Sequence, residues 1–469
     1  MRKLATIFMT TLMIMTIIPL PTMAKEDSPH PPDLYSQAAV LMDADTGQVL
    51  WGKNMNSRMY PASLTKVITC LLAMEKGNPD DIVTMTDEGV FSVPRGTTHA
   101  ALTTGEQLTL EQLEYTMMVE SANDAANGVA IHIGGSIEQF AQMMNEKAAE
   151  IHATGSHFTN ANGLPEDNHY TTAYDLGLFT KEALKYPQFR SLAGTQHYEI
   201  PPTNKQKQTR KFNNRQYMFT LNDTYPGAFA GKTGWTEEAG KTLITIAERD
   251  GVTLICVVLK AKGTIDAEFK DSTALLDYGY ENFKRVSVSK EIVPEQEIPY
   301  HDDSGEPGTA ILQLDQDMPV LLPTGVSADE LTATVDVRDA RNPIVKLTVP
   351  DEAQRFMDGV AGTFPLTVEP VEVPVVAAAD KQGNETLKAA GSTLMIWLKR
   401  LGIPVGIAVI VLVLLRGIII ARRRKRRRLR ARVRPLQKPP VKKPVVSVID
   451  MTMDKTYKNK ITLIEKERL

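Results

Sequence analysis

The sequence contains few of the residues on which several large protein classes depend. Its 469 residues include only two cysteines, Cys70 and Cys256, so a disulfide framework or a cysteine-rich metal site is excluded. None of the eight histidines lies in an H-E-x-x-H pattern, which argues against a zinc hydrolase, and no G-x-S-x-G nucleophile elbow occurs. We therefore expect neither a cofactor nor a metal ion.

Positive charge is also scarce over most of the chain and is concentrated at its end. The formal net charge is −3, yet residues 422–469 carry 18 Lys and Arg against four Asp and Glu. The preceding residues are therefore strongly acidic, which excludes a body that binds nucleic acid. A content of 42% apolar and 23% charged residues is typical of globular domains.

Both ends of the chain have features of export and membrane insertion. Residues 1–24 begin with basic residues, continue with an apolar run and end with small residues, as a signal peptide does, with an uncleaved anchor as the alternative. Residues 401–421 are apolar except for Arg416, and such a helix is about 30 Å long, enough to span a bilayer core. The basic run that follows stays inside by the positive-inside rule. We expect a single-pass protein of the cell membrane with its catalytic body outside. Its tail, residues 422–469, would be cytoplasmic and would contact the anionic inner leaflet.

The exported part divides by its hydrophobic pattern. Residues 35–285 mix helical and strand patterns, with apolar strands predicted at both ends and helices between them. The apolar spacing of residues 64–73 predicts a buried helix with Ser63 at its start, and two apolar strands, 242–247 and 252–259, are predicted to form a hairpin across Asp250-Gly251. This order predicts an α/β (α+β) sandwich in which the first and last strands pair. Residues 287–376 show short β-type runs with Pro and Gly between them, which predicts a separate small all-β domain. Residues 377–400 have the composition of a stalk.

The first candidate catalytic element is the S-x-x-K motif Ser63-Leu64-Thr65-Lys66. Three residues apart on a helix, Ser63 and Lys66 share a face. Lys66 is the only charged residue of an apolar stretch, and burial there would lower the pKa of its amine, as a general base requires. The motif alone is weak, because Ser287 and Lys290 repeat it in a strand-like run where the two side chains would point to opposite faces.

Two further short motifs follow along the chain. Ser121-Ala122-Asn123 places a hydroxyl and an amide two residues apart in a predicted loop, from which both could face a cleft, relay a proton and hold a peptide carbonyl. Lys232-Thr233-Gly234 lies in the strand-like stretch 228–236 and suits an extended peptide that ends in a carboxylate. Gly234 would let the substrate approach the backbone closely. Each motif alone could be an ordinary turn.

The order and spacing of the three motifs are those of penicilloyl-serine enzymes. The chain resembles the D-alanyl-D-alanine carboxypeptidases of the low-molecular-mass penicillin-binding protein family. The resemblance rests on these motifs and on the stretches around them, which are residues 60–66, 121–125, 169–176 and 231–236. It implies the penicilloyl-serine transferase or β-lactamase-like fold for residues 35–285.

The resemblance also implies roles for the motif residues. Ser63 would be the nucleophile and Lys66 its proton acceptor, and Ser121 would pass a proton to the leaving D-alanine. Asn123 would orient the acyl part of the donor. The terminal carboxylate would bind Lys232 and Thr233.

The remaining implications concern the oxyanion, the substrate and inhibitors. The backbone N–H groups of Ser63 and Trp235, the latter beside Gly234, would form the oxyanion hole. The substrate would be a peptidoglycan stem peptide that ends in D-Ala-D-Ala, and β-lactam antibiotics would acylate the same serine.

Two departures from the family and two alternative functions remain open. Family members often carry an arginine near the last helix of the catalytic domain, where this chain offers only Lys270, and they are typically held at the membrane by an amphipathic helix rather than a span. A β-lactamase would need a positioned carboxylate, for which Glu166 and Asp167 are candidates. A catalytically silent wall-binding scaffold would not need the complete motif set. Cys70 falls on the helix face of Ser63 and Lys66, and we predict that it packs in the core.

Overall fold

The structure is a computed structural model that describes residues 31–220, 224–301, 307–338, 342–354, 357, 359–370 and 446–448. The predicted signal peptide, stalk and membrane span lie outside these residues. Within the described part, no helix combines the length and the apolar character that a membrane span needs. The described residues divide into two compact units: those within 31–294, 313–367 and 446–448 form the first, and those within 295–312 and 368–370 form the second.

Among the described residues up to residue 294, ten strands and nine α-helices occur. The strands are β1 (Ala38–Asp43), β2 (Val49–Lys53), β3 (Ile82–Thr84), β4 (Gln107–Thr109), β5 (His197–Ile200), β6 (Arg210–Asn213), β7 (Ala228–Thr236), β8 (Gly240–Arg249), β9 (Val252–Ala261) and β10 (Phe283–Val288). The α-helices are α1 (Lys66–Lys76), α2 (Asp87–Phe91), α3 (Leu110–Val119), α4 (Asn123–Gly134), α5 (Ile137–Glu150), α6 (Ala173–Leu184), α7 (Pro187–Gly194), α8 (Tyr217–Thr220) and α9 (Ala267–Asn282).

The main sheet has five antiparallel strands in the order β2-β1-β9-β8-β7. The predicted pairing of the first and last strands is confirmed, because β1 lies beside β9 with Leu41 opposite Cys256. Strands β8 and β9 are joined through Asp250 and Gly251, both at positive φ (50° and 75°), as a tight two-residue hairpin turn requires. The sequence prediction of this hairpin is therefore correct.

Helices α1 and α4 form the centre of the helical layer. Residues 66–73 of α1 and 123–130 of α4 are buried along their whole length, so polar residues in these stretches are withdrawn from water. The core around them is built mainly from Ala, Leu, Ile, Val and Met side chains of the helices and the sheet. Cys70 is fully buried in this core, as predicted. The polar groups that these two helices carry into the core are the ones that form the site described below.

The chain beyond residue 294 is rich in short strands. They are β11 (Gln296–His301), β12 (Pro307–Gln313), β13 (Met318–Pro323), β14 (Thr332–Asp336), β15 (Ile344–Thr348), β16 (Val360–Pro365), β17 (Thr367–Pro370) and β18 (Val446–Val448). Strand β10 pairs with β13, β11-β12-β17 form a three-stranded sheet, and β16-β15-β14-β18 form a four-stranded sheet. The β-type pattern predicted for residues 287–376 is present in the described residues up to 370, which are divided between the two units, and the separate domain stays a prediction. The boundary at residue 287 stays a prediction.

Strand β18 comes from the part of the chain that the sequence predicts to be a cytoplasmic tail. It pairs in parallel with β14, with Ser447 opposite Thr334. The rest of residues 422–469 lies outside the described part of the chain.

Candidate active site

Ser63 lies in a single turn of 3-10 helix, Ala62–Thr65, directly before α1. The sequence predicted a helix start here, and the structure places the serine one turn ahead of the α-helix. Ala62 has a positive φ of 49°, which turns the serine toward the cleft. Two glycines permit this turn. A Cβ on Gly163 would lie 1.8 Å from the Ala62 carbonyl oxygen, and one on Gly234 would lie 3.0 Å from the Ser63 backbone nitrogen.

Lys66 is fully buried, and its amine contacts three oxygen atoms. Nζ lies 2.9 Å from Ser63 Oγ, 2.8 Å from Asn123 Oδ1 and 2.7 Å from the Asn162 carbonyl oxygen. Ser63 and Lys66 therefore meet as their spacing predicted. Asn123 is the first residue of α4 rather than part of a loop, which corrects the sequence interpretation, and its Oδ1 is turned toward the lysine.

The environment of Lys66 favours its neutral form. Burial lowers the pKa of this amine well below its usual value, and the positive charge of Lys232 lowers it further, while Asp124 opposes the shift. Asp124 itself accepts backbone N–H bonds from Ala100 and Leu102, so its charge is already compensated. A neutral amine beside a serine hydroxyl can accept its proton, which is the chemistry of a general base.

Ser121 and Lys232 form a second hydroxyl–amine pair in the same site. Ser121 lies in the three-residue connection between α3 and α4, with a positive φ of 66°. Lys232 Nζ donates to Ser121 Oγ at 2.9 Å and to the Thr233 carbonyl oxygen at 3.1 Å. Burial lowers the Lys232 pKa to about 7, the charge of Arg215 lowers it as well, and Glu120 opposes both.

The K-T-G motif is carried by β7, whose bounds match the predicted stretch, residues 228–236. This strand is at one end of the main sheet, and within the described residues only β8 pairs with it. Because successive residues of a strand point to opposite faces, Thr233 and Trp235 lie on one face of β7 and Gly234 lies on the other. The Trp235 side chain is 68% exposed. An unpaired strand edge beside Ser63 can receive an extended peptide.

With this geometry in place, comparison with known proteins decides the family. A family model described as D-alanyl-D-alanine carboxypeptidase, peptidase S11, matches residues 25–263, just over half of the chain. The chain belongs to this family. It is a serine-type carboxypeptidase, and the resemblance inferred from the motifs is confirmed.

Relatives of known structure and sequence support the assignment. The D-alanyl-D-alanine carboxypeptidase DacF of Bacillus subtilis is 33% identical over 295 residues, which are 62% of this chain and 74% of DacF. Penicillin-binding protein 5 from Haemophilus influenzae superposes with a TM-score of 0.58 at 25% identity, covering 72% of this chain and 98% of that one. The Streptomyces K15 DD-transpeptidase superposes with a TM-score of 0.50 at 27% identity, over 53% of this chain and 98% of that one. The predicted fold of the catalytic region is thereby confirmed.

Sequence reasoning missed two members of this carboxypeptidase site. The Asn162 carbonyl oxygen is a backbone group, and the residues around it predict only a turn. Arg215 follows strand β6, and its guanidinium is 3.3 Å from the Glu120 carboxylate, close enough to Lys232 to lower its pKa. Arginine in a hairpin is common, so no local pattern marks it.

Other candidates lie away from these groups or serve the framework. Lys270, the only basic residue near the start of α9, is half exposed and pairs with Asp266 at 3.0 Å. Glu166 and Asp167 are both exposed, and the Glu166 carboxylate accepts a hydrogen bond from Asn160 at 3.0 Å. Nothing in these contacts favours the β-lactamase alternative. Ser287 lies in β10, and Lys290 begins a separate 3-10 turn.

Proposed function

We propose that the protein is a membrane-anchored D-Ala-D-Ala carboxypeptidase that removes the terminal D-alanine of peptidoglycan stem peptides through an acyl-enzyme on Ser63. One observation carries the proposal: the buried Lys66 amine lies 2.9 Å from Ser63 Oγ. The same site holds Lys232 and Ser121 as a second pair, 2.9 Å apart, so it has a base for the attack and a cation for the substrate.

Acylation begins when Lys66 accepts the proton of Ser63. The serine oxygen attacks the carbonyl carbon of the penultimate D-alanine, and the negative charge moves to the carbonyl oxygen. The backbone N–H groups of Ser63 and Trp235 stabilise this oxyanion, and the 3.0 Å between an added Gly234 Cβ and the Ser63 backbone nitrogen supports this by bringing β7 close to the serine. Because Asn123 Oδ1 is occupied by Lys66, its Nδ2 is the group left to hold the acyl part of the donor.

The C–N bond then breaks, and the leaving amine takes up a proton. Ser121, whose hydroxyl contacts Lys232, donates its proton to the amine and takes up the proton that Lys66 accepted from Ser63, which leaves Lys66 neutral again. D-alanine then departs. A water molecule attacks the ester carbonyl carbon and loses a proton, and the Ser63 oxygen regains a proton as the ester bond breaks. A β-lactam forms the same ester by opening its ring, and because no amine departs the ester persists.

The terminal carboxylate of the substrate needs positive charge, and two side chains can supply it. Lys232 binds it together with the Thr233 hydroxyl. Arg215 contributes a second cation, in place of the arginine that other family members carry near the last helix. The Arg215 side chain is 62% exposed, and its ion pair with Glu120 at 3.3 Å is therefore weak. The guanidinium can leave this pair and turn to a ligand with little loss of free energy.

We expect Arg215→Ala to raise KM for a D-Ala-D-Ala peptide about 10-fold, the loss of one hydrogen bond to a charged group, with kcat nearly unchanged. KM should also rise with pH in the native protein, because the Lys232 pKa is about 7 and its charge disappears as pH increases through that value. Since Arg215 lowers that pKa, its removal should move this rise to higher pH. The measurement is KM from pH 6 to 9.

Lys211→Ala is the matched control, because Lys211 is on the same hairpin, 72% exposed, and pairs with Glu199 at 2.7 Å. It should leave KM and its pH dependence unchanged. An unaltered KM in Arg215→Ala would show that the arginine does not bind the carboxylate.

The membrane arrangement follows from both ends of the chain. Residues 1–24 direct export, residues 401–421 span the bilayer, and the basic tail lies on the anionic inner leaflet. Pairing of β18 with β14 requires residues 446–448 on the same side as the body, whereas a span at 401–421 separates them. The two arrangements exclude each other in one molecule, and we propose the spanning one because of the apolar run and the basic residues after it.

Ser447→Cys distinguishes the two arrangements, because the native Cys70 and Cys256 are both buried. A maleimide that cannot cross membranes should label this variant only after cells are permeabilised. Lys205→Cys, at an exposed hairpin tip, is the control and should be labelled in intact cells. Labelling of Ser447→Cys in intact cells would favour the β18 pairing and contradict the span.

The test of the function itself uses the full chain in detergent with a pentapeptide that ends in D-Ala-D-Ala. We expect release of one D-alanine per peptide, detected by mass, and labelling by a fluorescent penicillin with very slow turnover of nitrocefin. Rapid nitrocefin turnover without D-alanine release would indicate a β-lactamase. Absence of both labelling and release would indicate a silent wall-binding scaffold.

A further inference from the structure

The contacts of Lys66 determine the direction of its lone pair. A neutral amine has two N–H donors and one lone pair, whereas Lys66 Nζ has three oxygen neighbours within 2.9 Å. Asn123 Oδ1 and the Asn162 carbonyl oxygen can only accept hydrogen bonds, so they take the two N–H donors. The lone pair is then left facing Ser63 Oγ, whose hydroxyl can donate. Catalysis therefore depends on both acceptors being held in place.

The Asn162 carbonyl is held by the side chain of the same residue. Asn162 Oδ1 accepts from the Leu164 backbone N–H at 2.9 Å, and Asn162 Nδ2 donates to Asn127 Oδ1 at 3.0 Å. Asn127 is 1% exposed, and its own Nδ2 donates to Ser92 Oγ at 2.9 Å. The two buried amides thus connect the carbonyl beside Lys66 to helix α4 and to the end of α2.

Both acceptors of the lysine depend on one face of α4. Asn123 and Asn127 are four residues apart, so they lie one above the other on this helix. Asn123 contacts Lys66 directly, and Asn127 reaches it through Asn162. We propose that Asn127 and Asn162 are a positioning pair that holds the Asn162 carbonyl against Lys66 and so directs the lone pair of the amine at Ser63. The proposal rests on Lys66 being the base in the function proposed above.

The pair should influence the pH dependence of acylation. The charged groups that face Lys66 are Lys232 on β7 and Asp124 on α4, and the His169 ring lies 2.9 Å from Thr65 Oγ1, next to Lys66 in the chain. Burial lowers the pKa of His169 to about 4, so it titrates below the range of interest. Carbonyl oxygens stabilise an ammonium more than an amine, so a displaced Asn162 carbonyl lowers the Lys66 pKa. The acid limb of the acylation rate then moves to lower pH, while the maximal rate decreases because the lone pair is misdirected.

The experiment measures the rate of acylation by a fluorescent penicillin from pH 5 to 9 with the full chain. Asn127→Leu keeps the side-chain size and removes all three hydrogen bonds of this side chain, to Asn162, to Ser92 and to the Gly89 carbonyl oxygen. We expect the maximal acylation rate to be about 10-fold lower and the acid limb of the rate to lie about half a pH unit lower. Both effects have the size expected for one weakened hydrogen bond to a charged group. Asn127→Asp retains an acceptor for Asn162, so its maximal acylation rate should stay near that of the native protein. Because it adds negative charge, its acid limb should lie at a pH no lower than that of the native protein.

Asn145→Leu is the matched control. The Asn145 side chain makes two hydrogen bonds with the backbone of Phe158, at 2.8 and 2.9 Å. Phe158 precedes Asn162 by four residues, so this asparagine holds the same segment of chain without a hydrogen bond to Asn162. It should lower the melting temperature while the acid limb stays in place. The proposal is overturned if the acid limb of a folded Asn127→Leu protein does not move. It is also overturned if Asn127→Leu and Asn145→Leu change the acylation rate and its acid limb equally.

The aspartate variant decides the matter if Asn127→Leu does not fold, because an acid limb at lower pH in that variant contradicts the positioning role. Failure of the underlying function gives a different result. In that case the native protein is not acylated, or Ser63→Ala is acylated equally well, whatever stands at position 127.

Discussion

Lys66→Met is expected to reduce the acylation of Ser63 by penicillin, and the release of D-alanine, about 1,000-fold. Methionine matches the length of the lysine stem and suits a fully buried position, so the variant should fold. It removes the only basic group within 2.9 Å of Ser63 Oγ among the described contacts of that atom. Loss of a general base costs about 10² to 10⁴ in rate.

The pH dependence should change together with the rate. In the native protein the rate should fall as pH decreases through the lowered Lys66 pKa, because the protonated amine cannot accept the serine proton. The variant should lack this limb, and its KM should change little, since the carboxylate is bound by other residues. Steady-state kinetics with the D-Ala-D-Ala peptide, together with penicillin labelling, measure both.

Lys270→Met provides the control for this substitution. It removes an ammonium that pairs only with Asp266 at the surface, and it should leave acylation unchanged. If Lys66→Met retained more than a tenth of the native acylation rate, the assignment of Lys66 as the base would be wrong.

Gly163→Ala should have the second largest effect, although the glycine carries no functional group. Its φ is 88°, and an added Cβ would lie 1.8 Å from the Ala62 carbonyl oxygen and 2.9 Å from Thr65 Oγ1. The turn that carries Ser63 would have to move. We expect acylation to fall about 100-fold and stability to fall by roughly 2 kcal/mol or more, from the strained backbone and the steric conflict together.

Gly251→Ala separates the two contributions to that loss. Gly251 has a similar φ of 75°, and nothing lies within 4 Å of the added Cβ. The cost should therefore be about 1 kcal/mol from the left-handed backbone alone, with acylation unaffected. Thermal unfolding and penicillin labelling of both variants give the comparison. Native-like acylation in Gly163→Ala would mean that the Ser63 turn tolerates displacement.

Much of the fold could be predicted because the relevant signals are local. Two apolar runs and the Asp250-Gly251 turn between them predicted the β8–β9 hairpin, and the spacing from Leu64 onward predicted a helix. The position of Ser63 within a 3-10 turn, and of Asn123 on a helix, was not predicted. Both depend on how the chain enters α1 and α4, and that geometry follows from packing rather than from residue preference.

The site was predicted only in part, for a related reason. The motif order identified Ser63, Lys66, Ser121 and Lys232, and the burial of Lys66 followed from its apolar neighbours. The 2.9 Å contact between Lys232 and Ser121 joins residues 111 positions apart, and no local pattern predicts it. Arg215 was missed because its relevance comes only from its distance to Lys232.

By itself, the amino-acid sequence determined the family and the pairing of a serine with a lysine three residues later, since these depend on residue types at short spacings, and it predicts the serine as nucleophile and the lysine as its base. Only the tertiary structure decided which oxygen atoms surround Lys66. One of them is the backbone carbonyl of Asn162, and every residue has such a group, so its role arises from position alone. The same holds for the two glycines beside Ser63, whose importance is the space that their missing side chains leave.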